Sequence, residues 1–251
     1  MILAGEIDYA QARLSARYGE RPSESEWRTI EAIRRLPALL EAARGLRFRR
    51  WLVGIAPAAD PHAIEAALIA RWRAEAAEVR SWMPAAWRAA LEWMSVLPDV
   101  PVAEYIARGG QALGWMRDDP VYGPLCEAGR PTERSPLAPL TKAWNRPDGL
   151  FGAWRREWIR RMPQGALAAT AGVDQIAREL AAYRGAPAAA VSGDGIALRR
   201  ALASRLSLQF RRVTLEPSAA LVYLALIALD LERLRGELLR RAIFPGFGLA
   251  A

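Results

Sequence analysis

From Ala219 to Leu229 the chain reads AALVYLALIAL, apolar on every side of a helix. From Leu231 it changes to a stripe of Leu231, Leu234 and Leu238 set among Glu232, Arg233, Arg235, Glu237, Arg240 and Arg241. A helix that is apolar all round has to be surrounded by protein, so this segment starts in a core and runs out toward a polar surface. The apolar run is well short of the roughly 20 residues that a membrane-spanning helix requires. A chain of 251 residues, 52% of them apolar, is long enough to supply the core around it.

Elsewhere apolar residues recur at intervals of three and four, and no stretch shows sustained alternation rich in β-branched residues. That period predicts an all-α chain, a multi-helix bundle without strands. Local signals place the first helices. Glu6 to Tyr18 ends at Gly19, a plausible C′ residue. Ser23 with Glu26 forms a capping box that opens a helix through Arg35, and Pro37 suits the first turn of the next, which Gly45 stops. Asp60-Pro61 repeats the device and opens a helix of about twenty residues carrying Ile64, Leu68, Trp72 and Val79. Pro84, Pro98 and Pro101 punctuate shorter helices. The stretch 118–136, DDPVYGPLCEAGRPTERSP, holds four prolines and two glycines without a helical period, and reads as a long loop. Helices resume over 137–144, 149–162, 173–183, 196–213 and 217–244. No short-period repeat is visible, so an ordinary solenoid is not supported; 1–251 is expected to form a single all-helical domain with the long loop at 118–136.

Little chemistry survives inspection of the composition. The net charge is +8, but Lys142 is the only lysine. Arginine and alanine in such excess reflect GC-rich coding, which halves the weight of the charge as a sign of an anionic partner. A single cysteine, Cys126, excludes an internal disulfide framework and fits a reducing compartment. A single histidine, His62, removes most zinc sites and His-based catalysis. Cys126 as a nucleophile would need a base and an electropositive niche, with His62 the sole imidazole to serve. SGDGIALRR at 192–200 has glycines and a helix but neither the strand nor the lysine of a phosphate loop; it reads as a helix start with Asp194 near the cap. Glu75 with Glu78 reads as a solvated, salt-bridged face. The N-terminus MILAGEIDYAQAR reaches an acid by Glu6 and is not a secretory signal. Catalytic residues, cofactors and metal ligands are therefore expected to be absent.

One patch carries interest. Trp154 and Trp158 stand at i and i+4 beside Arg155, Arg156, Arg160 and Arg161, in a chain with ten tryptophans. Interleaved arginine and tryptophan can stack bases, seat at lipid headgroups or form a protein-binding hot spot. Alternatively Trp154, Trp158 and Ile159 line the core while the arginines face water. Trp154, Arg155, Trp158, Arg160 and Arg161 are the candidate partner contacts, and RGLRFRRWL at 44–52 admits the same two readings.

The two ends of the chain, taken together, resemble the C-type component of the archaeal and bacterial V-type (A-type) ATPase, the family that includes the d component of the eukaryotic V0 sector. Near the start, Tyr9-Ala10-Gln11-Ala12-Arg13 and the small, basic, apolar helix after it match the family's shape. Near the end, Tyr223, Asp230, Leu231, Leu234 and Arg235 fall on the family's pattern of tyrosine, acid, aliphatic residue and Leu-Arg pair. The chain departs from that pattern at Ile227-Ala228, where members carry a Lys-Glu pair, and it is shorter than they are. The centre resembles them only in being helical. The resemblance implies a funnel-like stack of related helical subdomains with no active site, cofactor or small-molecule substrate. Such a protein is cytoplasmic and peripheral on the inner face of the cell membrane. It couples the rotor-ring proteolipid to the central-stalk subunits during ion, commonly proton, transport. Two alternatives stand beside it: a stand-alone adaptor or assembly factor of the same fold, and a basic helical nucleic-acid-binding protein using the Trp154–Arg161 face. Nucleic acid is the less favoured partner, and its binding would fall steeply with salt.

Overall fold

Every regular element among the described residues of the computed structural model is a helix; these residues are 4–146, 149–164, 175–176, 178–180 and 192–244. In chain order they form α1 (Ala4–Gly19), α2 (Glu24–Ala32), α3 (Leu36–Arg44), a short 3-10 turn (Arg49–Trp51), α4 (Pro61–Trp82), α5 (Ala85–Met94) and α6 (Asp99–Ala107). They continue with α7 (Gly114–Asp118), α8 (Tyr122–Ala128), a second 3-10 segment (Ala138–Ala143), α9 (Leu150–Arg160), α10 (Ser192–Arg212) and α11 (Ser218–Ile243). The helix expected over 173–183 lies largely outside the described residues.

Helix starts follow the local chemistry. The Ser23 amide donates to Glu26 Oε2 at 2.7 Å and the Glu26 amide donates to Ser23 Oγ at 3.3 Å, the reciprocal pair that satisfies two otherwise orphaned donors. Burial pushes the Glu26 carboxyl up, but its hydrogen bonds to Ser23 and the nearby Arg47 win and hold it below the ordinary value. At α4 the Ala63 amide donates to Asp60 Oδ1 at 2.8 Å. The ends are set from farther away. α2 stops at Ala32, short of the Arg35 that local pattern favours, because the Arg241 guanidinium takes its last carbonyls: Nε donates to Ile33 O at 2.5 Å, Nη2 to Glu31 O at 3.0 Å and to Ile30 O at 3.2 Å.

The chain divides into two compact units. The first draws on Met1–Gly19, Ala76–Ser95 and Arg155–Asp230. Its core includes Tyr18 stacked on Phe210 at 4.5 Å between ring centroids, and Tyr223 6.5 Å from Phe210. The second draws on Glu20–Glu75, Val96–Trp154 and Leu231–Ala251. There Trp27 meets Phe48 edge-on at 4.6 Å and Arg233 lies 4.4 Å over the Trp27 ring. All ten tryptophans are buried, none more than 9% exposed. Truncating a buried indole of this kind to alanine costs about 3–5 kcal/mol. From Ser218 to Ile227 every residue of α11 is buried, and the stripe of Leu231, Leu234 and Leu238 is buried after it.

The stretch 118–136, expected as a long loop, contains α8, a correction with a clear cause. Asp119 accepts from the amides of Val121 at 2.8 Å and Tyr122 at 3.1 Å, capping the helix start, while Pro124 falls in the first turn where its missing N–H costs nothing. Gly129, with φ of 65°, closes α8 in the left-handed region. Gly123 sits so close to α7 that a Cβ there would lie 2.6 Å from the Arg117 carbonyl oxygen. Gly123→Ala should therefore destabilise the protein by about 1–3 kcal/mol through forced displacement of backbone. Thermal denaturation checks this, and an unchanged midpoint would contradict the close approach of α7 and α8.

Candidate functional site

The arginine–tryptophan patch of α9 resolves into two layers. Trp154 and Trp158 are 1% and 0% exposed, so neither indole is offered to a partner. Trp154 is core in the second unit, where Phe151 stacks beside it at 5.5 Å. In the first unit Glu157 gathers two guanidiniums: Arg160 Nε and Nη2 donate to it at 2.8 and 2.6 Å, and Arg161 Nε at 2.7 Å. The bonds from Arg160 are the chief reason that the Glu157 carboxyl lies below its ordinary range. Arg161 also lies 4.6 Å over the Trp93 ring. What reaches solvent is the half-buried Arg155, the exposed Arg156 and Arg160, whose side chain is 72% exposed.

The residues on which the family resemblance rests fall into exposed and buried groups. Tyr9 is 53% exposed, with Arg13 5.7 Å over its ring and 5.4 Å over that of Trp82. Tyr223 and Leu234 are fully buried and Asp230 is 6% exposed. Arg235 forms a bidentate pair with Glu65, its Nε donating to Oε2 at 2.7 Å. The bonds to Glu65 hold its guanidinium above the ordinary value. Within the first unit α1 meets α10 and the turn after it: Leu215 N–H donates to Gln11 Oε1 at 3.1 Å, and Tyr18 of α1 stacks on Phe210 of α10.

The most concentrated polar cluster is one that sequence reasoning missed. In the second unit Arg73 of α4 donates to Asp119 Oδ2 at 2.7 Å and to Asp99 Oδ1 at 3.2 Å, and the Tyr122 hydroxyl donates to the same Asp99 oxygen. Arg73 also lies 5.2 Å over the Tyr122 ring, and Trp115 meets that ring edge-on at 5.6 Å. Burial raises the Asp99 carboxyl above its ordinary value, against the opposing pull of Arg73 and Tyr122. Burial and the Asp99 charge likewise drive the Tyr122 phenol upward. Burial of Arg73 acts against its charge but is outweighed by Asp119 and Asp99, so its guanidinium is held more firmly charged. With each carboxylate oriented by its neighbours, this is a clasp joining α4, α6 and the α7–α8 hairpin rather than an open reaction centre.

Other candidates are now placed. His62 is exposed in the first turn of α4. Cys126 is half-buried against Trp115, Met116 and Tyr122, and burial pushes its thiol up, away from the reactive thiolate. Glu78 pairs with Arg17 at 2.6 Å; Glu75, expected on a solvated face, is instead buried and faces Arg50 at 3.5 Å. The side chains of 192–195, including Asp194, lie outside the described residues. Among the described residues no group of three or more His, Cys, Asp or Glu stands ready to hold a metal, and no helix is long and apolar enough to cross a membrane. An open cleft of about 220 Å³ lies between Glu31–Arg34 and Arg240, Arg241 and Phe244. Compared with models of known protein families, with curated proteins and with solved structures, the chain matches none.

Two outcomes check the clasp. Tyr122→Phe keeps the ring contacts but takes the hydroxyl from a buried carboxylate, and should cost about 1–3 kcal/mol in chemical denaturation. Because the Asp99 pKa is raised on folding, its contribution is present below the unfolded value and lost as pH rises through the folded one. Asp99→Asn should accordingly gain on the parent as pH rises from acid toward neutral; a difference independent of pH would refute the assignment.

Proposed function

We propose that this chain is a non-catalytic coupling protein of the C-type found in V-type ATPases, seated on the cytoplasmic side of a membrane rotor ring and receiving the tip of the central stalk. One observation supports the reading above the others. Tyr9 and Arg13 near the start and Tyr223 and Asp230 of α11, some 200 residues apart, belong to one packed unit, in which Gln11 of α1 accepts from Leu215 in the turn before α11, while Leu231, Leu234 and Arg235 belong to the second unit. A resemblance confined to two remote ends has structural meaning when those ends fold together. A coupling piece also calls for stiffness rather than titratable machinery. Ten buried indoles and a clasp of charge-assisted hydrogen bonds suit that requirement.

The proposal carries the expectation of a funnel-like stack of helical subdomains in the assembled complex, with rotor-ring proteolipid and central-stalk subunits as partners. With Trp154 and Trp158 in the core, contact from α9 would fall to Arg155 and Arg160. Tagged protein recovered from gently solubilised membranes should bring down a proteolipid and a nucleotide-binding catalytic subunit. Arg155→Glu with Arg160→Glu should reduce that recovery severalfold, and Arg160→Glu alone, at a side chain 72% exposed, should reduce it with the thermal midpoint nearly unchanged, since exposed ion pairs contribute about 1 kcal/mol or less. Recovery of the protein alone would overturn the proposal. Recovery with nucleic acid that is lost steeply as salt rises would replace it with the binding alternative.

A further inference from the structure

Between Asp194 and Glu216 the chain contains five arginines, Arg199, Arg200, Arg205, Arg211 and Arg212, and no acidic residue. Helix α10 occupies nearly all of that span. Its inner face is apolar, with Leu202, Leu206 and Phe210 at most 5% exposed. At 100° per residue its outer face has a midline of Ala197, Ala201 and Leu208. Arg200 and Arg211 flank that midline on one side, and Arg205 and Arg212 on the other. Leu208 stands 45% exposed on the midline, and Ile196 and Leu198 are 50% and 39% exposed near the helix start. Arg205 pairs with Glu179 at 2.7 Å yet keeps a side chain 52% exposed.

The turn that follows carries an independent sign. Leu215 has φ of 64°, the one non-glycine residue with positive φ among the described residues, and it is 55% exposed. In that conformation Cβ crowds the carbonyl, and glycine or asparagine is the residue that folding favours. Leucine there serves neither stability nor solubility. A strained, solvent-exposed leucine next to Arg211 and Arg212 is an observed outlier that calls for a functional account.

We infer that the outer face of α10, with Leu215 beyond its end, docks on an anionic lipid bilayer. The leucines enter the boundary between headgroups and acyl chains, while the arginines lay their methylene stems along the apolar surface and extend their guanidiniums to lipid phosphates. Charge complementarity selects an anionic surface. The exposed aliphatic side chains select lipid over nucleic acid, whose bases need aromatic platforms, and Phe210, the aromatic residue of α10, is turned inward. The face is also convex, the outside of a single helix, and fits the plane of a membrane. The inference rests on α10 and its closing turn and holds whether or not the chain couples a rotor.

Sedimentation of the full chain with vesicles tests it directly. Binding is expected to vesicles of equal parts phosphatidylglycerol and phosphatidylcholine, and little to phosphatidylcholine alone. Arg211→Gln with Arg212→Gln should weaken the anionic binding by about 25-fold, roughly fivefold for each arginine near the surface. Leu208→Ser with Leu215→Asn should weaken it by about tenfold. Leu215→Asn alone should weaken binding while raising the thermal midpoint, because asparagine tolerates the left-handed turn. Equal binding to both vesicle types, or anionic binding unchanged in the leucine pair, would overturn the inference. So would leucine-independent binding to heparin of the same strength, which would mark the face as a general polyanion surface.

Discussion

The constraint on which the structure turns is the burial of α11. Its first half has no polar side to give to water, so from Ser218 to Ile227 it is enclosed, with Tyr223 close to the stacked pair of Tyr18 and Phe210 in the first unit. Its second half works by a different force. Arg233 pairs with Glu24 and Glu31, Arg235 with Glu65, and Arg241 donates to three carbonyls at the end of α2 as well as to Glu237. The first half of α11 is therefore an apolar axis and its second half a row of guanidinium anchors. A lysine could not replace Arg241, because a point charge lacks the planar fork that serves several acceptors at once. The near absence of lysine, whatever its origin in codon usage, leaves the chain with side chains suited to this kind of tie.

Much of the helical order was legible because caps are local. Ser23 with Glu26, Pro37 in the first turn of α3 and Asp60 before Pro61 act across three or four residues, and each opens its helix where the spacing indicates. The end of α2 was not legible, since the group that stops it stands at position 241. The stretch 118–136 misled through its prolines, although Asp119 accepts from the amides of Val121 and Tyr122 that lead into α8. The candidate site divides the same way. Composition set Trp154 and Trp158 beside arginines, but only packing decides which of them faces water, and both indoles lie in the core. The clasp of Arg73, Asp99, Asp119 and Tyr122 joins residues up to 49 positions apart with no spacing to announce it; its one local trace is the Asp119-Pro120 pair.

These features share a physical theme. The perturbed carboxyls are explained by their pairings and by burial: Glu26 by its cap, Glu157 by two guanidiniums, Asp99 by enclosure in the clasp. Such groups order helix starts and tie elements together. Where the structure does depart from what stability favours, at Leu215, the departure lies at the surface beside positive charge.

The most direct test of the coupling proposal is electron cryomicroscopy of the rotary ATPase isolated from the cells that make this chain. The proposal places helical density of this sequence between the ring's cytoplasmic mouth and the stalk tip, with the Tyr18–Phe210–Tyr223 cluster recognisable. A complete enzyme with that position filled by a different polypeptide would contradict it.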